Sequence, residues 1–273
     1  MKRRRSGAWR FTALRVAALA GNTFKEAVRN RAFIGLMFLA GAFLAFSLVL
    51  SSLAVTGQGN RVLLDFGFFS ISLFGVLIAI VMGAILLHKE IDKKTIFTII
   101  PKPVHRFEVV LGKYFGMLAI LIVEVGVLSV LWLGLLWLKG APVTPEIGKA
   151  LLLIFLEIVL ITAVALMFSS FSRPVLTGIL ATGVFIVGRV VYLVGEMLTA
   201  RGGLFVDHPG LRPFGEAVVR VVPDLRVFDG SQEVLLEIPI RGSYLVSATG
   251  YCMSYVLVLL ALSVLLFQRR DFT

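Results

Sequence analysis

Apolar runs alternate with short polar breaks along this chain, and each run has about the length that crosses a bilayer. The runs cover residues 33–55, 66–87, 114–138, 150–171, 175–198 and 244–267. Each predicts a membrane-spanning helix, because a backbone in hydrocarbon must satisfy its own hydrogen bonds. Ahead of them, Phe11, Leu14, Ala18, Gly21, Phe24 and Val28 recur every three or four residues within a basic segment. That spacing predicts an amphipathic helix lying in the membrane interface. Ala18-Leu19-Ala20 imitates a signal-peptide cleavage site, but Arg15 breaks the apolar core such a peptide needs, so that reading is rejected. The expected fold is all-α: a single membrane domain over residues 1–273, six transmembrane helices, and an interfacial helix within residues 1–31.

The polar breaks are unequal. Residues 57–60 (GQGN), the step containing Pro142 and Pro145, and Ser172-Arg173-Pro174 are tight turns. The longest break in the first two-thirds is residues 88–113, HKEIDKKTIFTIIPKPVHRFEVVLGK, with six basic residues among three acids. A basic loop between two spans belongs on the cytoplasmic side. Its first part is amphipathic through Ile91, Ile96, Phe97, Ile99 and Ile100. Pro101 and Pro103 then stop any helix. Phe107, Val110, Leu111 and Tyr114 share one face of a second helix that runs into the third span. On its residues alone this stretch reads first as a solvated connector.

Composition narrows the class. The chain is 58% hydrophobic and 16% charged, with a mean hydropathy of +0.96, against about 25% charged in soluble domains. The net charge of +11 would suggest nucleic acid in a soluble protein. Here the excess flanks the spans, so orientation and anionic membrane lipid account for it and no nucleic-acid partner is expected. Residues 2–31 carry nine basic groups and one acid, and Arg269-Arg270 closes the last span, so both termini are expected inside. Trp132, Trp137 and Lys139 suit the opposite interface. The single cysteine, Cys252, excludes an intramolecular disulfide and a cysteine-based metal cluster.

Residues 199–243 are near neutral, with five arginines and six acids, and hold Pro209, Pro213, Pro223 and Pro239. The segment is too long for a simple turn. Apolar pieces at 214–222 and 234–240 predict short interfacial elements on the outer side.

Several of these residues carry a family likeness. Glu90, Lys94-Thr95, Pro101-Lys102-Pro103, His105-Arg106, Glu108 and Gly112-Lys113 resemble the cytoplasmic loop of type-2 ABC-transporter permeases, most nearly the permease of the nitrous-oxide reductase maturation system. Residues 97–100 depart mildly, standing where relatives often carry leucines. Residues 23–31 resemble the family's elbow helix. Val222-Pro223-Asp224-Leu225 resembles its external Pro-Asn-Leu step, with aspartate in place of asparagine. The likeness implies a coupling helix between spans two and three that touches an ATPase subunit. It assigns Glu90, Lys94, Thr95, Phe97, Pro101, Lys102, Pro103, Arg106, Glu108, Gly112 and Lys113 to that coupling. It further implies an exporter in a bacterial cytoplasmic membrane, pairing with a second permease copy. ATP and magnesium would be held by the partner, with no cofactor in this chain.

Three ionisable residues fall inside predicted spans: Glu124, Glu157 and Arg189. Charges in hydrocarbon are costly, so they face protein or a water-filled path. They are expected either to line a substrate path or to form a structural Glu–Arg pair, and helical phase does not separate the two. Gly126, Gly183 and Gly188 lie nearby and permit close helix approach. An ion-coupled secondary transporter using Glu124 and Glu157 is the alternative, though no internal inverted repeat supports it. Catalytic signatures are missing: Gly112-Lys113 precedes Tyr114, not Ser or Thr, and His88, His105 and His208 are dispersed. The chain is expected to be no enzyme and to bind no metal.

Overall fold

The computed structural model describes residues 5–55, 57–92, 105–200, 205 and 208–269. Among them there are helices and turns and no strand. Seven long helices follow in order: α1 (Arg5–Val28), α2 (Arg31–Leu53), α3 (Gly59–Asp92), α4 (Arg106–Leu138), α5 (Pro145–Ser169), α6 (Pro174–Thr199) and, last in the chain, α9 (Gly242–Arg269). Between α6 and α9 lie α7 (Arg212–Val221), a 3-10 turn at Leu225–Phe228 and the short α8 (Ser231–Leu235). Six of the long helices, all but α1, are long and apolar enough to cross a membrane, and the chain is a multi-pass integral membrane protein.

The ends of these helices follow from local chemistry. The Asn30 side chain accepts the Ala32 N–H at 2.9 Å and opens α2. Pro145 and Pro174 sit in the first turns of α5 and α6, where the missing N–H costs nothing. The Glu108 carboxylate reaches back to the His105 N–H at 3.1 Å and opens α4. Two helices outrun their predicted spans. α3 has 34 residues, about 50 Å at 1.5 Å per residue, against a hydrocarbon core of about 30 Å. α4 continues unbroken from Arg106 through the third span, as the apolar face at Phe107, Val110, Leu111 and Tyr114 predicts. The excess of α4 lies on the side of residues 93–104, here the loop face, whereas α3 outruns its span at both ends, by residues 59–65 on the opposite face and 88–92 on the loop face.

The bundle is layered. α3 and α5 lie innermost, each with 72% of its most apolar window buried; α2, α6 and α9 are 17–28% buried there and leave large side chains such as Phe38, Val175 and Leu257 to lipid. Lipid tails are as apolar as leucine, so what joins the helices is close fit and internal polar contact. Trp132, expected at an interface, is instead fully buried: its ring meets Phe68 and its Nε1–H donates to the Leu63 carbonyl at 3.1 Å. Trp137 is exposed.

α1 crosses the start of α4. The contact is made by Leu19, Ala20 and Thr23 against Gly112 and Gly116. A Cβ at Gly112 would stand 2.5 Å from Leu19 Cβ, and one at Gly116 2.6 Å from Thr23 Cβ, so only glycine admits α1 here. The sequence stripe of Phe11, Leu14, Ala18, Gly21 and Val28 stays exposed on the other side.

Candidate functional site

Halfway through the bundle, four polar side chains from four elements meet. Glu157 projects from α5 and is 1% exposed. Arg189 reaches it from α6, its Nη2 donating to Glu157 Oε2 at 2.9 Å and to Ser72 Oγ at 2.8 Å. Ser72, on α3, in turn donates to Glu157 Oε2 at 3.0 Å. Asp229, just past the 3-10 turn, places Oδ2 3.6 Å from Arg189 Nη1. Arg189 also lies against the Phe185 ring, 5.6 Å from its centroid. Taking a carboxylate out of water costs several kcal/mol, and the close guanidinium and hydroxyl donors offset that cost. Glu157 Oε1 is buried with no hydrogen-bond partner among the described residues.

Residues 222–240 form a cap on this knot from the face opposite the loop. Leu225 and the Pro223 carbonyl press on Gly188 of α6, where a Cβ would stand 2.8 Å from Leu225 Cγ. The Asp224 N–H donates to the Tyr251 hydroxyl at 2.8 Å, and the Tyr244 hydroxyl donates to the Val227 carbonyl at 2.7 Å. At the far end the Ile240 N–H donates to Glu146 Oε2, and Lys149 Nζ to the Ile240 carbonyl, at 2.8 and 2.9 Å. The cap is therefore bonded to α5 and α9 and packed on α6; the apolar piece at 214–222 forms most of α7, just ahead of the cap, whereas α8 takes in only the first two residues of the piece at 234–240, the rest of which is not helical.

Two cavities flank the knot and share Asp229 and Gln232 as a common wall. One, of about 360 Å³, runs past Phe68, Phe69, Phe185 and Phe228 to Arg189. The other, of about 540 Å³, opens between Tyr192, Glu196, Arg226, Glu233 and Tyr244. Among the described residues no group of three His, Cys, Asp or Glu is placed to hold a metal ion.

The structure thus brings together Glu157 and Arg189 and leaves Glu124 apart. Glu124 is fully buried on α4, both its oxygens lacking a hydrogen-bond partner among the described residues, beside Gly75 of α3. Of the three nearby glycines, Gly188 meets a neighbour closely, while Gly126 and Gly183 have open space beside them. Ser72 and Asp229 are members that the sequence reading missed. A serine pair, Ser70 and Ser72, in an apolar span and the Asp229-Gly230-Ser231 turn were the available signals, and neither tells which helix it meets.

At the loop face, Lys94, Thr95, Phe97, Pro101, Lys102 and Pro103 lie outside the described residues, and Glu90 falls in the last turn of α3. The remaining four are engaged within the chain. Arg106 Nη1 donates to the Phe267 and Gln268 carbonyls at 3.0 and 2.8 Å, closing the C-terminal end of α9. Glu108, fully buried, faces Arg15 of α1 at 3.6 Å. Gly112 lies under α1, and Lys113, 2% exposed, donates its Nζ to the Leu86 carbonyl of α3 at 2.5 Å. α1, α3, α4 and α9 are thereby joined beside residues 93–104.

A family model described as ABC-2 family transporter protein matches residues 17–205, more than half of the chain. No curated protein matches it. The matched stretch holds α2 to α6, the second half of α1, and three of the knot's four residues.

Proposed function

The chain belongs to the ABC-2 family of transporter proteins, as a permease subunit, and from that premise we propose that it is the membrane half of an ATP-driven exporter. Two copies, identical or paired with a relative, form the path and recruit two separate ATPase subunits, which hold ATP and magnesium. The permease hydrolyses nothing itself. The loop face is cytoplasmic in a bacterial inner membrane, in keeping with its basic residues. α1 lies at that interface, its exposed apolar stripe in lipid and its basic groups near anionic headgroups.

One observation carries the reading: α3 is a single unbroken helix from Asp92, at the edge of the loop, to Ser72 in the polar knot. Force applied at 93–104 is transmitted along about 30 Å of helix to the contact of Ser72 with Glu157 and Arg189. Arg106, Glu108, Gly112 and Lys113 act as positioning residues, holding α1, α3 and α9 to α4 so that the loop moves them together. Glu90, Lys94, Thr95, Phe97, Pro101, Lys102 and Pro103 are assigned to the docking element, with Ile96, Phe97 and Ile100 as its apolar anchor against the ATPase. Glu157 and Arg189 stand at the inner end of the path, beneath the 222–240 cap.

The test is co-purification with an ABC ATPase subunit from the same cells, followed by ATP hydrolysis in proteoliposomes. Phe97→Ala weakens assembly, whereas Glu90→Ala or Arg106→Ala leaves the subunits bound and separates hydrolysis from transport. Parental assembly and transport in all three variants would make residues 88–113 only a connector. An ion-coupled transporter would run without any ATPase.

A further inference from the structure

We propose that the two cavities around Asp229 and Gln232 bind an amphipathic organic cation, its apolar body among the phenylalanines and its positive head beside Glu233. This rests on the permease reading and names the substrate class of that site.

The charge at the site is opposite to that of the chain. The protein carries +11 overall, yet five carboxylates line these cavities against two guanidinium groups. Both guanidinium groups already have partners within the chain. Arg189 is held by Glu157, Ser72 and Asp229. The Arg226 guanidinium carbon lies over the Tyr192 ring, 4.1 Å from its centroid. That arginine shows the chemistry the wall accepts, a cation on an aromatic face. Glu233 has a carboxylate oxygen shut off from solvent with no donor among the described residues. The Glu233 residue lines the outer cavity with Glu196, Asp224 and Asp229, and a ligand ammonium or guanidinium there would offset the repulsion among these carboxylates.

The apolar half has its own logic. Phe68, Phe69, Phe185 and Phe228 surround the inner cavity of about 360 Å³, the lower end of the range for small-molecule pockets. A hydrated metal ion has no use for four aromatic side chains, and no three-ligand group among the described residues is placed to strip its water. An apolar anion would fit the rings but meet the acids. A molecule with a hydrophobic body and a cationic head satisfies both walls.

The experiment uses the full-length chain in nanodiscs of neutral lipid, with 2-(1-naphthyl)ethylammonium and 1-naphthylacetate as probes of like shape and opposite charge. Equilibrium binding is read against empty discs. Saturable binding of the cation alone is expected. Glu233→Gln and Phe185→Ala should each weaken it about tenfold, the effect of losing one charge-assisted or aromatic contact. Gln232 is exposed, so Gln232→Lys should fold normally, abolish cation binding and admit the anion. Equal binding of both ions, uptake that never saturates, or cation binding indifferent to all three variants would overturn the proposal. Association with the ATPase is scored on the same preparations. If it persists while cation binding fails, the substrate class alone falls; if the parent recruits no ATPase, the permease assembly falls.

Discussion

Without Arg189, the Glu157 carboxylate would keep only the Ser72 hydroxyl as partner in a setting where Glu157 is 1% exposed. Removing one member of a buried ion pair costs about 3–5 kcal/mol. Arg189→Ala should therefore accumulate poorly in membranes and unfold at lower temperature. Glu157→Gln is milder, because the amide still meets Ser72 and Arg189 retains Asp229. It should accumulate near the parental level and alter transport. The double variant Glu157→Gln, Arg189→Met should recover much of the yield lost by Arg189→Ala. Membrane yield and thermal unfolding of the three variants decide the matter. Equal collapse of Glu157→Gln would make the pair purely structural, and a parental Arg189→Ala would show that it holds nothing.

At the scale of elements, the joint between α1 and α4 depends on two glycines one helical turn apart. A Cβ at Gly116 would stand 2.7 Å from the Ala20 carbonyl oxygen, backbone that cannot swing aside as a side chain does. Gly116→Leu should drive α1 off α4, lower the melting temperature by several degrees and loosen the coupling of hydrolysis to transport, since destabilisation of a few kcal/mol has that scale. Melting as stable as the parent's would show that α1 contributes little. The Pro101-Lys102-Pro103 step makes a different prediction. Proline restricts the chain and glycine frees it. Replacing both prolines by glycine should leave ATPase binding intact while lowering transport per ATP hydrolysed in proteoliposomes. Unchanged coupling would mean that the step transmits no force.

For the molecule as a whole, six crossings would bring the start of α2 and the end of α9 to one face, and the proposed topology, argued from the basic residues, puts that face in the cytoplasm. Cys252 is buried and its Sγ–H points to the Leu156 carbonyl, 3.4 Å away, so a Cys252→Ser background suits thiol labelling. With an impermeant reagent on intact cells, cysteines at Asn60 and Val143, both exposed, should label from outside, and a cysteine at Lys93 should not. Labelling at Lys93 would invert the topology. Ala141, buried against the bundle, would give a silent result either way.

The spans, their order and the helix ahead of them were legible in the chain, because a backbone in hydrocarbon has one helical solution and about twenty apolar residues announce it. The turns were legible too: Gly57 takes φ +87, and Pro145 and Pro174 open helices where proline is tolerated. Apolar patterning does not state which helix faces which. It marked Glu124, Glu157 and Arg189 as costly, but tertiary packing decided that Arg189 meets Glu157, that Glu124 stands apart, and that Ser72 and Asp229 complete the knot. The same holds at the loop face. A run of family-like residues pointed outward to a partner, yet Arg106, Glu108, Gly112 and Lys113 turn inward, because α1, α3 and α9 arrive there from distant parts of the chain. Periodicity reports whether a side chain prefers lipid, water or protein, and only the meeting of helices far apart in sequence supplies its partner.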